Sequence, residues 1–94
     1  MELPLKITDK AYLKLLQYKS ILNIADDQAV RIGSKGMSGG KAVFLVAFDT
    51  PEPNDVIYQY KALKIIVKIT HQMYLAGLTV DYKDNETEKG FVFE

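Results

Sequence analysis

The segment 33–44, "GSKGMSGGKAVF", holds the side chains and spacing most suggestive of chemistry in this sequence. Glycine-rich loops bind phosphates and other anions through backbone amides, and Lys35 and Lys41 could add positive charge. The segment lacks the spacing of a phosphate-binding P-loop and of a dinucleotide-binding fingerprint. Two interpretations therefore stand: a hairpin loop with glycines at positive φ, and an anion-binding module contacting ligand through Lys35 and Lys41.

Histidine and serine offer little further chemistry. His71 is the single histidine, and no carboxylate lies three or four residues after it. A metal site built on His71 would need carboxylates or tyrosines from elsewhere, so His71 is a weak metal candidate. Nothing in the spacing around Ser34 or Ser38 indicates a nucleophile elbow, so no catalytic residue is predicted and the chain is not expected to be an enzyme.

Composition excludes several classes of function. The 94 residues include 12 basic and 12 acidic side chains without a basic block, which argues against nucleic acid as a partner. No apolar run approaches the ~20 residues that span a bilayer, and the first residues lack a signal-peptide pattern. We expect one domain, residues 1–94, in a soluble cytoplasmic protein without membrane contact. The chain has no cysteine, which removes disulfides and thiolate ligands.

The elements that would position these residues are mostly strands. Apolar residues at three- and four-residue steps predict a helix from Thr8 to Leu22, with Thr8 as N-cap and Asp9 in the first turn. Segments rich in β-branched and aromatic residues predict strands over 29–33, 42–48, 56–60, 63–69 and 78–82. Residues 70–77 predict a short helix, with Thr70 as a cap and Gly77 as a left-handed end. A final hairpin would turn Phe91 and Phe93 inward.

Taken in order, "ITDKAYLKLL", "VRIGSKGMSGGKAVFLVAFD", "DVIYQYKALKIIV" and "YLAGLTVDY" resemble the HesB-like family, the A-type iron–sulfur carriers. The anchors of this resemblance are Arg31, Gly33, Phe48-Asp49, the segment 51–55, Tyr74-Leu75, Gly77, Val80-Asp81-Tyr82 and Gly90-Phe91. The resemblance implies an α+β, mostly β fold. It would be a small sandwich or flattened barrel of about seven short strands with one N-terminal helix and one short internal helix.

The resemblance also implies where metal would bind. Members of the family carry one cysteine in the glycine-rich loop and two more in a Cys-Gly-Cys stretch beyond the last strand, which together bind iron or a cluster. The corresponding loop positions here are Gly36, Met37, Ser38, Gly39 and Gly40. Depending on the alignment, Met37, Gly39 or Gly40 stands where the loop cysteine would be, and none supplies a thiolate. The sequence stops at Glu94 without the Cys-Gly-Cys stretch.

These observations predict a cysteine-free HesB-like protein that is not itself a cluster carrier and needs no cofactor. It would act as a binding or accessory protein, linked to iron–sulfur cluster assembly through a protein partner, either as a monomer or as a homodimer. The sequence leaves two alternatives open. The first is iron binding through His71 and carboxylates, and the second is a module that binds an anion or another small molecule through the glycine-rich loop.

Overall fold

A computed structural model describes residues 2–94 of the chain. Within this range the chain forms seven strands, two α-helices and one 3₁₀ turn. The helices are α1 (Asp9–Ile21) and α2 (Gln72–Leu75), and the 3₁₀ turn is Ile69–His71. The strands are β1 (Lys6–Ile7), β2 (Ala29–Ser38), β3 (Lys41–Asp49), β4 (Asp55–Tyr60), β5 (Leu63–Lys68), β6 (Thr79–Asp84) and β7 (Lys89–Phe93). Neither helix has the length and apolar character needed to cross a bilayer.

The strands form two mixed sheets that do not close into a barrel. The smaller sheet has the order β1-β6-β7, with β1 parallel and β7 antiparallel to β6. The larger sheet has the order β3-β2-β5-β4, in which β2 and β5 are parallel and the outer pairs are antiparallel. The mostly β fold with seven strands and two α-helices confirms the predicted fold class.

Helix α1 begins as the sequence predicts. The Thr8 side chain accepts a hydrogen bond from the Ala11 backbone N–H at 3.1 Å, and Asp9 lies in the first turn. This satisfies one of the free amides at the helix start and places a carboxylate at the positive end of the helix dipole. Ala11 and Leu15 are buried, and they fix the helix on the core.

The core draws on both sheets and both helices. Its buried apolar members are Leu5, Ile7, Ala11, Leu15, Val30, Ile32, Tyr58, Leu63, Ile65, Val67, Leu75, Val80 and Tyr82. Phe91 and Phe93 of β7 pack against this cluster while half-buried, so the predicted inward alternation of the last strand is confirmed.

Two local predictions were wrong. Strand β2 does not end at Gly33 but continues through Ser38, because a register shift between Ser34 and Gly36 keeps it paired with β3. Thr70 is not a helix cap, because the 3₁₀ turn begins directly after β5 and encloses it, and neither helical start there has a side-chain cap. Gly77, by contrast, has φ +81°, the left-handed conformation predicted for it.

Candidate functional site

The glycine-rich segment is a β-hairpin made by the far ends of β2 and β3. Met37 pairs with Ala42, and Ser38 pairs with Lys41, so the chain reverses within Gly39 and Gly40 alone. These two glycines have φ +59° and +80°. A two-residue turn with both φ values positive matches the twist of the flanking strands and favours glycine. The prediction of a hairpin with glycines at positive φ is therefore confirmed. Its turn has only two residues and is much tighter than a flexible loop over 33–40.

Lys35 is the bulged residue of this hairpin, and Gly36 next to it has φ +103°. The Ser34 side chain stabilises the bulge from within. Its Oγ accepts a hydrogen bond from the Gly36 N–H at 3.1 Å and donates to the Val43 carbonyl oxygen at 3.4 Å. Ser34 is thus used for backbone geometry, which accounts for its presence without nucleophilic chemistry.

His71 is held against the base of the hairpin. The Ser34 backbone N–H donates to His71 Nδ1 at 3.3 Å. A Cβ atom built on Gly33 would lie 3.1 Å from the same nitrogen, closer than ordinary contacts. A side chain at position 33 would therefore require the imidazole ring to shift by a few tenths of an ångström. The ring is positioned in turn by α2, whose Leu75 is fully buried and whose Gln72 Nε2 donates to the Tyr58 hydroxyl at 2.9 Å.

A groove of about 160 Å³ lies between the hairpin and α2. Its lining residues are Ser34, Gly36, Met37, Ala42, His71 and Tyr74. The apolar side chains at its rim are exposed, with Met37 68% and Tyr74 57% accessible to solvent, and Met73 of α2 is also exposed. The polar groups of the groove are the His71 imidazole and the hydroxyls of Ser34 and Tyr74, and the rest of the lining is mostly apolar, so the groove suits an apolar or aromatic contact better than an ion.

The predicted loop residues separate into two groups. Gly36 and Met37 line the groove beside His71 and Tyr74, whereas Ser38, Gly39 and Gly40 form the tip and do not line it. Among the three positions proposed for the family's loop cysteine, Gly39 and Gly40 lie at positive φ, where a side chain is strained. Met37 has no such restriction, and its side chain lines the rim of the groove.

The predicted anion contacts are not brought to the groove. Lys35 stands at the bulge and Lys41 at the first position of β3, both exposed, and neither is a lining residue. The hairpin does not direct their two charges into one enclosed space. Anion binding there stays a prediction, without a cavity to receive the ion.

The geometry around His71 is that of a structural residue. Its Nδ1 lone pair accepts from Ser34, so the neutral ring carries its proton on Nε2. A metal ion on either ring nitrogen would require this hydrogen bond to be lost. Across residues 2–94, histidine and the acidic residues form no group of three or more that could hold a metal ion.

The opposite end of β2 carries a network of ion pairs that the sequence indicated only as separate anchors. Arg31 Nε donates to Asp49 at 2.7 Å, and both terminal nitrogens donate to the two Asp55 oxygens at 2.7 Å. The Asp55 side chain is fully buried, and its Oδ2 also accepts from the Glu52 N–H at 2.7 Å. These hydrogen bonds lower the pKa of Asp49 and Asp55 and raise that of Arg31.

Asp81 plays a similar tethering role on the smaller sheet. Its Oδ1 accepts from the Thr8 hydroxyl at 2.7 Å and from the Tyr82 N–H at 2.8 Å, which lowers the pKa of this carboxyl. Thr8 therefore caps α1 and ties it to β6 with the same side chain. Five anchors of the family resemblance therefore have a physical role in the fold: Gly33, Arg31, Asp49, Asp55 and Asp81.

Comparison of the whole sequence with known proteins agrees with the resemblance that these anchors indicate. No family model matches the sequence. Protein HesB from Leptolyngbya boryana is 29% identical over 89 residues, which cover 93% of this chain and 74% of that protein. A protein from Aquifex aeolicus, known from a solution NMR structure, is 25% identical and has a TM-score of 0.70, with 100% of this chain and 93% of that one covered. The chain is therefore similar to protein HesB in sequence, and to the Aquifex aeolicus protein in sequence and in fold.

Two further solved structures share the fold of this chain. Escherichia coli SufA, involved in biosynthesis of iron–sulfur clusters, has a TM-score of 0.70 at 17% identity, covering 96% of this chain and 78% of SufA. IscA, in a crystal structure with the [2Fe–2S] cluster, has a TM-score of 0.73 at 22% identity, covering 96% of this chain and 80% of IscA. The 94 residues of this chain contain no cysteine.

Two features of the site were not found from the sequence. Tyr74 served only as an anchor of the resemblance, yet its ring forms one wall of the groove. The contact between Gly33 and His71 joins residues 38 positions apart in the sequence, and no local pattern marks it. The single available signal was a glycine at a strand position with no turn to require it.

Proposed function

We propose that this HesB-like chain works in iron–sulfur cluster assembly as a binding protein that neither holds a cluster nor needs a cofactor of its own. The observation that carries the proposal is the hairpin over residues 33–44. It has a bulge, glycines at positive φ and a contact with His71, and it presents a methionine and glycines but no cysteine.

The chemistry of the ligands supports the first half of the proposal. A thiolate brings negative charge and softness to a cluster, whereas the thioether of Met37 is a neutral and weak ligand. The imidazole next to it is engaged by the Ser34 N–H. Neither group can replace a set of cysteine ligands in the groove between the hairpin and α2.

The surface around the hairpin supports the second half. Met37 and Tyr74 are exposed apolar side chains that line one small groove together. Apolar side chains grouped in this way are typical of a protein contact, and methionine adapts readily to different partners. The role is therefore binding and not enzymatic, and the partner is a protein.

The experiment begins with anaerobic incubation of the purified chain with ferrous iron, cysteine and sulfide, followed by desalting, an absorption spectrum and iron analysis. A cysteine-containing A-type carrier treated in parallel serves as the positive control. We expect the chain to remain folded and colourless. Iron near stoichiometry would overturn the proposal, and His71→Ala would then show whether His71 is a ligand.

A second measurement tests binding directly. The chain is titrated into SufA and into IscA carrying its cluster, and complex formation is followed by isothermal titration calorimetry. We expect saturable binding to at least one cluster-assembly protein that is weakened by the pair Met37→Ser and Tyr74→Ser. Lys64→Ser, on the exposed face of β5, is the control. Failure to bind any member of a panel of assembly proteins contradicts the proposal.

A further inference from the structure

The outer edge of the larger sheet is a long apolar strand. Strand β3 is the end strand of the order β3-β2-β5-β4, and it is nine residues long. Residues 42–48, "AVFLVAF", are seven consecutive apolar residues without proline or charge. Soluble proteins usually shorten or charge such an edge, since its free N–H and C=O groups can pair with another strand.

The other sheet edges carry these protections. Strand β1 has two residues, and β7 has five with Gly90 at φ +125°. Strand β4 has six residues, follows Pro51 and Pro53, and places Gln59 among its apolar residues. The edge of β3 is therefore the one that most requires a cover.

The sequence of β3 is complementary to itself in antiparallel orientation. If two copies pair with Leu45 opposite Leu45, Lys41 of each copy stands opposite Asp49 of the other. The same register sets Ala42 against Phe48 and Val43 against Ala47, so large side chains face small ones. Lys41 is exposed, and the Asp49 side chain is 46% accessible despite its bond to Arg31, so both charges can be reached. Opposite charges across a strand pair stabilise it and fix its register.

An apolar groove borders this edge. It has a volume of about 250 Å³ and is lined by Leu15, Tyr18, Leu22, Val46, Ala47, Phe48 and Phe91. Three consecutive residues of β3 contribute to it, so a strand added to β3 would lie alongside its opening. Leu22 is 59% exposed there, and it would lose solvent contact when the edge is covered.

We propose that the free edge of β3 pairs with the β3 edge of a second copy of this chain, antiparallel and centred on Leu45. The two four-stranded sheets then join into one eight-stranded sheet across a two-fold axis. Each residue pair then occurs twice: Lys41 of the first copy lies opposite Asp49 of the second, and Asp49 of the first lies opposite Lys41 of the second. A two-fold interface requires this reciprocity. The proposal concerns assembly and does not depend on whether the chain binds a metal.

The absence of cysteine allows a register-specific test. Opposed residues in antiparallel strands have Cα atoms about 4.5–5.5 Å apart, a separation that a disulfide can bridge. Leu45→Cys should therefore form an intermolecular disulfide rapidly under mild oxidation. Val43→Cys alone should not, since the two copies of position 43 would be about 13 Å apart. A mixture of Val43→Cys and Ala47→Cys should link efficiently, and it tests the register even if Leu45→Cys does not fold.

The association itself is measured by sedimentation equilibrium over a wide concentration range. We expect the 10.6-kDa chain to dimerise, and Lys41→Glu to weaken the dimer about tenfold or more, because it sets two like-charge pairs across the interface. Lys64→Glu makes the same charge change on β5 and should leave the dimer intact. Monomers at every concentration would overturn self-pairing and leave the edge to a strand of a different protein. Equal cross-linking by Val43→Cys and Leu45→Cys would overturn the register.

Discussion

The two ends of strand β2 are held in place by different interactions. Near its start, Arg31 is 7% exposed and bonded to two carboxylates, which join β2 to β3 and to the beginning of β4. Near its end, Met37 is 68% exposed and the hairpin tip reaches beyond the core. The first end is fixed by buried charges and the second by glycine conformations. Resemblance to a family can thus persist in residues that hold a scaffold while the residues that carried its chemistry differ.

Removing the cation at the first end should give the largest change in stability. Arg31→Met leaves the buried carboxylate of Asp55 without its partner, which typically costs about 3–5 kcal/mol of unfolding free energy. Met37→Ser at the second end should change it by less than about 0.5 kcal/mol. Urea unfolding of the variants measures both. Equal losses would show that the two ends of β2 are not energetically distinct.

Acid should weaken the same end by a smaller amount. The pKa of Asp49 and of Asp55 is lower in the folded chain than in the unfolded chain. Their stabilisation is therefore complete above the unfolded value and is lost as pH falls below about 4 through the folded pKa values. Urea midpoints measured against pH should show this decline, with a shallower slope in Arg31→Met. Parallel slopes would mean that Arg31 does not set these pKa values.

The smallest of these three losses of stability is expected at Gly33, which lies between the two ends of β2. Gly33→Ala places a Cβ atom 3.1 Å from His71 Nδ1 and should cost about 1 kcal/mol, the lower limit of typical overpacking losses. Because the clash is with one ring, His71→Ala should remove most of it. A double-mutant cycle from thermal or urea unfolding measures the coupling. Additive losses would indicate that the backbone at Gly33, and not the ring, is the cause.

Local signals in the sequence predicted the elements that depend on neighbouring residues. Thr8 followed by Asp9 marks the start of α1, and the polar run before Phe91 marks the last hairpin. Thr70 failed as a signal because a cap requires the residue before the first turn, which is Lys68 here. Serine, threonine and glycine signals therefore locate an element better than they locate its first residue.

The arrangement around the candidate site could not be predicted from local pattern. Arg31 meets Asp55 only because β2 lies beside β5 and β5 beside β4, an order that hydrophobic periodicity does not encode. The groove likewise depends on the 3₁₀ turn and α2 placing His71 and Tyr74 against the hairpin. The resemblance predicted the fold and the glycine-rich loop, whereas the chemistry of the loop depends on the individual residues that occupy it.

The parallel pairing of β1 with β6 has a consequence for how the chain acquires its structure. The Thr8 hydroxyl meets Asp81 across 73 positions of sequence, and Lys6 pairs with Thr79. Hairpins such as β2–β3 and β4–β5 close over short distances in the sequence, whereas this contact must wait until residue 81 has been synthesised. Folding that depends on such distant contacts is slow, on the order of milliseconds to seconds. On the ribosome, helix α1 would therefore emerge long before Asp81, the residue that anchors its first turn.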